Sequence, residues 1–183
     1  MIPVEFLWLT LFLMTAVIGA TRGLSKELGT ASILLLSIFA LEVAWDRFIG
    51  EMVAGLPGAM MPPNEMEAVY YVVVISLVAF ISYEGVVLQF PVASKGGIVK
   101  TTLGFLGGML NGYLLVGSVW DAVNTADYFG LEVSLGSTGQ TVAIANTLTP
   151  LHNELVKYLP LTFVPDYILL ALGLILLLAI VFK

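Results

Sequence analysis

Four sets of side chains in this sequence could do chemistry, and all lie in or beside long apolar runs. Glu84 is a carboxylate inside such a run, and a carboxylate at membrane depth is a candidate for proton relay or cation binding. Its shallow position favours a quieter role, pairing with Lys95, Lys100, Arg22 or Lys26. Asn111 carries an amide that must find a hydrogen-bond partner in hydrocarbon. Bonding between helices is its simplest role, and a small-solute or ion pathway shared with Glu84 is the functional alternative. Glu42, Asp46 and Arg47 stand at helical spacing, where two carboxylates four residues apart could attract a cation while Arg47 supplies a local counter-ion. They are read as a solvated helix end. His152 is the only histidine. It is a possible axial ligand to a pigment or haem, but metal sites take three or four protein ligands, so no metal and no cofactor is expected. No G-x-S-x-G, H-E-x-x-H, Walker A or G-x-G-x-x-G pattern occurs in a supporting context. No catalytic residue is assigned, and the sequence predicts a protein that is not an enzyme.

The elements that must position these residues are set by composition. Of 183 residues, 59% are hydrophobic and 11% charged, with a mean hydropathy of +1.01, whereas a soluble domain is about a quarter charged. The apolar residues form runs too long for one aqueous core. The net charge of −6 and the scatter of seven basic residues argue against nucleic-acid binding. With no cysteine, disulfides, thiolate metal sites and cysteine nucleophiles are excluded. The expected fold is an all-α integral membrane protein with about five transmembrane helices, at 2–20, 28–45, 68–90, 98–120 and 167–182. Gly104, Gly108 and Gly112 make two overlapping G-x-x-x-G steps in the fourth span, which lets another helix approach closely. The fourth span is therefore the expected packing centre.

Charge sets the expected direction of threading, because Lys and Arg near span ends favour the cytoplasmic side. Arg22, Lys26, Lys95, Lys100 and Lys183 fall on one side, and Arg47 and Lys157 on the other. The N-terminus is expected outside and the C-terminus in the cytoplasm. In the outer segment from Asp121 to Asp166, Ile144, Leu148, Leu151, Leu155 and Leu159 recur at helical steps. They predict an amphipathic helix in the outer interface or, because Pro150 interrupts the pattern, two short helices. Residues 130–139 read as a connecting loop.

The turn Arg22-Gly23-Leu24-Ser25-Lys26-Glu27-Leu28 resembles the R-G-x-x-[KR]-E turn of the CvpA family, the colicin V production proteins of bacterial inner membranes. Glu5 falls where that family has an acid at the start of its first helix. Leu103-Gly104 through Gly112 resembles its glycine helix, and Thr149-Pro150-Leu151 through Tyr158-Leu159-Pro160 its closing amphipathic segment. The likeness covers about residues 2–160, and divides the chain into a CvpA-like membrane domain, 1–165, and an additional C-terminal span, 166–183. Two positions depart from the pattern. Lys100-Thr101 replaces the family's Asp-Arg pair, and Asn111 replaces an Arg before the last glycine.

The resemblance implies a multi-pass protein of the bacterial cytoplasmic membrane, acting without catalysis in envelope homeostasis or secretion. On this reading it packs with itself or with other membrane-protein subunits through the glycine helix, in contact with lipid. An accessory subunit of a larger respiratory, photosynthetic or secretory complex is the second reading. A small-solute or ion pathway through Glu84 and Asn111 is the third.

Overall fold

The computed structural model describes residues 3–55, 61–84, 88, 90, 96–134 and 141–182. Helix α1 (Val4–Arg22) starts behind Pro3 and stops at Gly23. Gly23 has φ +84°, and its N–H closes the helix on Gly19 O at 2.9 Å. A side chain is strongly disfavoured in that conformation, so this glycine permits α2 (Leu24–Ala44) to begin at once. Helix α2 runs on through a π turn at Trp45–Ile49 into α3 (Gly50–Ala54). Helix α4 (Pro63–Glu84) opens on proline, which suits a first helical position, and α5 (Ile98–Thr125) is the longest helix described, at 28 residues.

Helix suits these apolar runs because it answers every backbone N–H and C=O within itself. Four of them, Val4–Arg22, Leu24–Ala54, Pro63–Glu84 and Ile98–Thr125, are long and apolar enough to cross a membrane. The expected fifth span forms α8 (Asp166–Val181), an apolar helix of 16 residues. That is about 24 Å of helix, short of a typical ~30 Å hydrocarbon core. Helix α5 is the centre of the bundle, with α1 along one face and α2 and α4 along another, and α8 lies beside α2. The core between α2, α4 and α5 is built from Leu34, Ile38, Ile75 and Leu114. Outward-facing Leu13, Val17, Leu77, Phe80 and Leu106 leave a broad apolar exterior, as expected of a bundle whose solvent is lipid.

The segment after α5 differs from the sequence expectation. Ahead of two short helices there is a 3-10 turn at Asp127–Gly130, followed by antiparallel strands β1 (Glu132–Ser134) and β2 (Thr141–Ala143), with Glu132 opposite Ala143. A 3-10 turn at Ile144–Thr147, α6 (Pro150–Val156) and α7 (Pro160–Phe163) complete it. Pro150 starts a helix and does not interrupt one, because its missing N–H is harmless in the first turn. Thr149 caps that helix by accepting from His152 N at 3.2 Å. Residues 130–139 include β1 and are not simply a connecting loop. Lys95, Lys183 and residues 135–140 lie outside the described residues, as do residues 56–60 of the glycine- and proline-rich loop.

Candidate functional site

Polar side chains gather in three places. The first is at the Gly23 end of the bundle. Because α2 begins at Leu24, Glu27 lies within its first turn and is fully buried. Arg22 Nη1 donates to Glu27 Oε1 at 2.8 Å, and Asn111 Nδ2 donates to Glu27 Oε2 at 2.7 Å and to Glu27 O at 2.9 Å. The Tyr83 hydroxyl approaches Glu27 Oε2 at 3.4 Å while its ring lies 4.2 Å beneath the Arg22 guanidinium. Arg22 Nη2 also donates to Ser82 O at 3.2 Å. A single carboxylate thus receives donors from the end of α1, from α4 and from α5, and such a pair is stable in hydrocarbon only when answered this fully.

The glycine stripe supports this knot. A Cβ on Gly108 would stand 2.5 Å from Thr15 O, and one on Gly19 2.5 Å from Gly108 Cα. Gly104 meets Gly19 and Gly23, Gly112 meets Thr15 and Phe12, and Gly107 meets the side chain of Glu27. The partner of the glycine face is therefore α1 of the same chain, and that face is not open to another copy. Arg22 and Lys100 share this end, with the Lys100 side chain 3.3 Å from where a Cβ on Gly23 would lie.

Glu84 lies in the last described turn of α4 and is exposed, and Lys95, one of its expected partners, lies outside the described residues. Arg22 is engaged by Glu27, and no ion pair of Glu84 is found among the described residues. The buried carboxylate that Asn111 meets is Glu27, which sequence spacing put in a turn because the second span was begun at Leu28. The signal was present: a glycine after Arg22 is a helix stop.

The second site lies at the other end of the bundle. Glu42, Asp46, Glu67, Asp121 and Asp166 line a cavity of about 270 Å³ together with Tyr71. Asp121 is buried, and its carboxylate accepts from Thr162 N at 2.9 Å and from Thr162 Oγ1 at 3.0 Å. Glu42 and Asp166 come within hydrogen-bonding reach of each other. No basic residue lines the cavity among the described residues. Arg47, expected as a counter-ion, is exposed and makes no ion pair among the described residues. It lies within the π turn, where one extra residue per turn alters the register that simple helical spacing assumes.

The third site joins α1 to the segment after α5. His152 is 1% exposed, packs against Trp120 and Tyr128, and its Nε2 lies 2.9 Å from Asn124 Oδ1. Thr149 Oγ1 donates to Glu5 Oε1, and Trp120 Nε1 donates to the Tyr128 hydroxyl at 3.0 Å. Burial pushes the His152 imidazole below its usual pKa, with the Glu5 carboxylate opposing. Burial likewise raises the Tyr128 phenol. Among the described residues no three His, Asp or Glu side chains converge as a metal site would require. His152 serves as a hydrogen-bonded core residue of this outer layer.

Comparison of the chain with protein-family models, curated proteins and solved structures finds no match in any of the three. The chemical reading therefore stands on geometry. One end of the bundle has an ion pair closed from every side, and the other has carboxylates around an open volume.

Proposed function

We propose that this chain is a non-enzymatic, multi-pass protein of a bacterial cytoplasmic membrane that resembles the CvpA family and serves secretion or envelope homeostasis. One observation carries the reading. The residues that bear the resemblance, Arg22, Gly23, Glu27 and the glycine helix, form a single connected unit, with the ion pair at one end of the α1–α5 seam. The motif has a structural reason: the glycine turns the chain, and the acid and base on either side of it close on each other. Asn111, where the family has an arginine, donates to this carboxylate. Lys26 is expected outside this unit, as a positive residue of the cytoplasmic turn. Association with other membrane-protein subunits or with further copies falls on the outward apolar faces, such as Val73, Leu77 and Phe80 of α4, because the glycine face is already filled. The N-terminus is assigned to the outside, on the grouping of Arg22, Lys26 and Lys100.

Deleting the gene in its own bacterium and measuring protein secretion and detergent sensitivity tests the role. A defect restored by the intact chain, and not by Glu27→Ala, is the expected result; a mutant indistinguishable from its parent overturns it. Orientation has its own test, since the chain has no cysteine. Glu154→Cys should react with an impermeant maleimide on intact cells and Lys26→Cys should not; the reverse pattern inverts the topology.

A further inference from the structure

The single histidine of the chain, His152, sits where a charge has no partner. The side chain is 1% exposed and lies between Trp120 and Tyr128, both buried. Asn124 Oδ1 only accepts, so Nε2, 2.9 Å away, carries the proton of the neutral ring. A second proton must go to Nδ1. That nitrogen is buried without a hydrogen-bond partner, so a charged ring presents an N–H to nothing, and an unanswered buried charge is costly. Among the described residues few groups face it. From α1 comes Glu5, also 1% exposed, whose Oε1 accepts from Thr149 while Oε2 has no partner. The turn after α5 brings the Tyr128 phenol, and α5 the neutral Asn124 amide and Trp120 indole. Glu154 of α6 and Lys157 just past it are exposed and pair with each other. Burial outweighs the attraction of Glu5 and holds the imidazole below its usual pKa.

The root of the same segment is strained. Asp127, Tyr128 and Phe129 have φ +47°, +55° and +56°, three successive left-handed residues without a glycine, a conformation that L side chains enter at a cost. Such strain persists only where surrounding contacts impose it. Here those contacts fall on Tyr128, whose hydroxyl accepts from Trp120 Nε1 at 3.0 Å and whose ring packs on His152. Among the described residues, the hydrogen bond that fastens α6 to α1 is the one from Thr149 to Glu5, and Thr149 also caps α6 by accepting from His152 N. The histidine, the cap and the strained turn thus meet in one place. Whatever unseats His152 loosens all three.

We propose that His152 is an acid-release latch: a proton taken at Nδ1 unseats the ring, α6 lifts from α1, and the Asp127–Phe129 turn relaxes. Helix α7 stays in place, because Thr162 remains bonded to Asp121. The inference is independent of the envelope role and of the orientation. The test uses the full chain in lipid nanodiscs with Trp45→Phe, which leaves Trp8 and Trp120, stacked on each other beneath this segment. Acrylamide quenching should rise about twofold or more between pH 7.5 and 5.0, reversibly and with the helical circular dichroism retained, as local opening predicts. Because the chain has one histidine, an isotope-labelled imidazole gives a single magnetic-resonance titration, and its midpoint should coincide with that of the quenching. His152→Gln should flatten the quenching profile, and Glu154→Gln should leave it as in the parent. Quenching that is flat in the parent, that rises equally in His152→Gln, or that rises only as the helical signal is lost overturns the proposal. So does a quenching midpoint away from that of the histidine, a comparison that needs no variant of His152 and decides the matter if His152→Gln does not fold.

Discussion

The two ends of the bundle handle buried carboxylates in opposite ways. At the Gly23 end, Glu27 has an arginine, an amide and a phenol on it, and neighbouring backbones approach until a methyl group has no room. At the cavity end, several acids crowd one another around an open volume that no base lines among the described residues. The same residue type is structural where every donor is internal and a burden where donors are few. Removing a carboxylate should therefore have opposite signs at the two ends, and this is the sharpest way to break the comparison.

The largest effect is expected at Glu27. Glu27→Ala strands the Arg22 guanidinium, whose side chain is 15% exposed, and breaking a buried pair costs ~3–5 kcal/mol. Thermal unfolding of the purified protein should show a large drop, and an unchanged midpoint would mean that the knot holds nothing. Next comes Gly108→Leu, which forces a side chain against Thr15 O in α1. Overpacking costs ~1–3 kcal/mol, and more where backbone must move. Leu106→Ala, at an outward position, should cost less; if the two variants melt alike, α1 is not seated on the glycines.

At the cavity the sign turns. Asp166→Asn thins the cluster of acids around the cavity and should raise stability modestly, by ~1 kcal/mol or less. A loss as large as that of Glu27→Ala would make the two ends alike. His152 gives a pH-dependent effect. Its folded pKa is depressed, so the unfolded chain binds the proton more readily, and stability present above the ordinary histidine pKa is lost as pH falls through it. The fall in midpoint between pH 7.5 and 5.5 should be smaller in His152→Gln than in the parent. The smallest effect is predicted for Glu84→Gln, within ~0.5 kcal/mol as at other exposed positions. Any larger loss would restore it to the interior.

Much of the helical frame was legible because an apolar run of about 20 residues has few alternatives in lipid. The close-approach face was legible from Gly104, Gly108 and Gly112, though not that α1 fills it, since spacing within one helix says nothing about which neighbour arrives. Glu27 was missed over a few residues of helix boundary, because Gly23 moves the start of α2 forward to Leu24 and brings Glu27 into its first turn. The cavity draws Glu42, Glu67, Asp121 and Asp166 from four separate helices, and no linear spacing encodes that meeting. Strands β1 and β2, three residues each, are too short for alternation to register.

The bond from Thr149 to Glu5 joins residues 144 positions apart, and this has a consequence in time. A ribosome adding ~5–20 residues per second needs about 7 to 30 s to deliver the second partner after the first. For roughly the first two thirds of that interval α1 has no seat, because Gly104, Gly108 and Gly112 are still unmade, and for the remainder it is seated with Glu5 Oε1 still lacking its donor. An α1 that seats instead on the α5 of a neighbouring copy gives an exchanged dimer, at the expense of the tight Gly23 turn that joins α1 to α2.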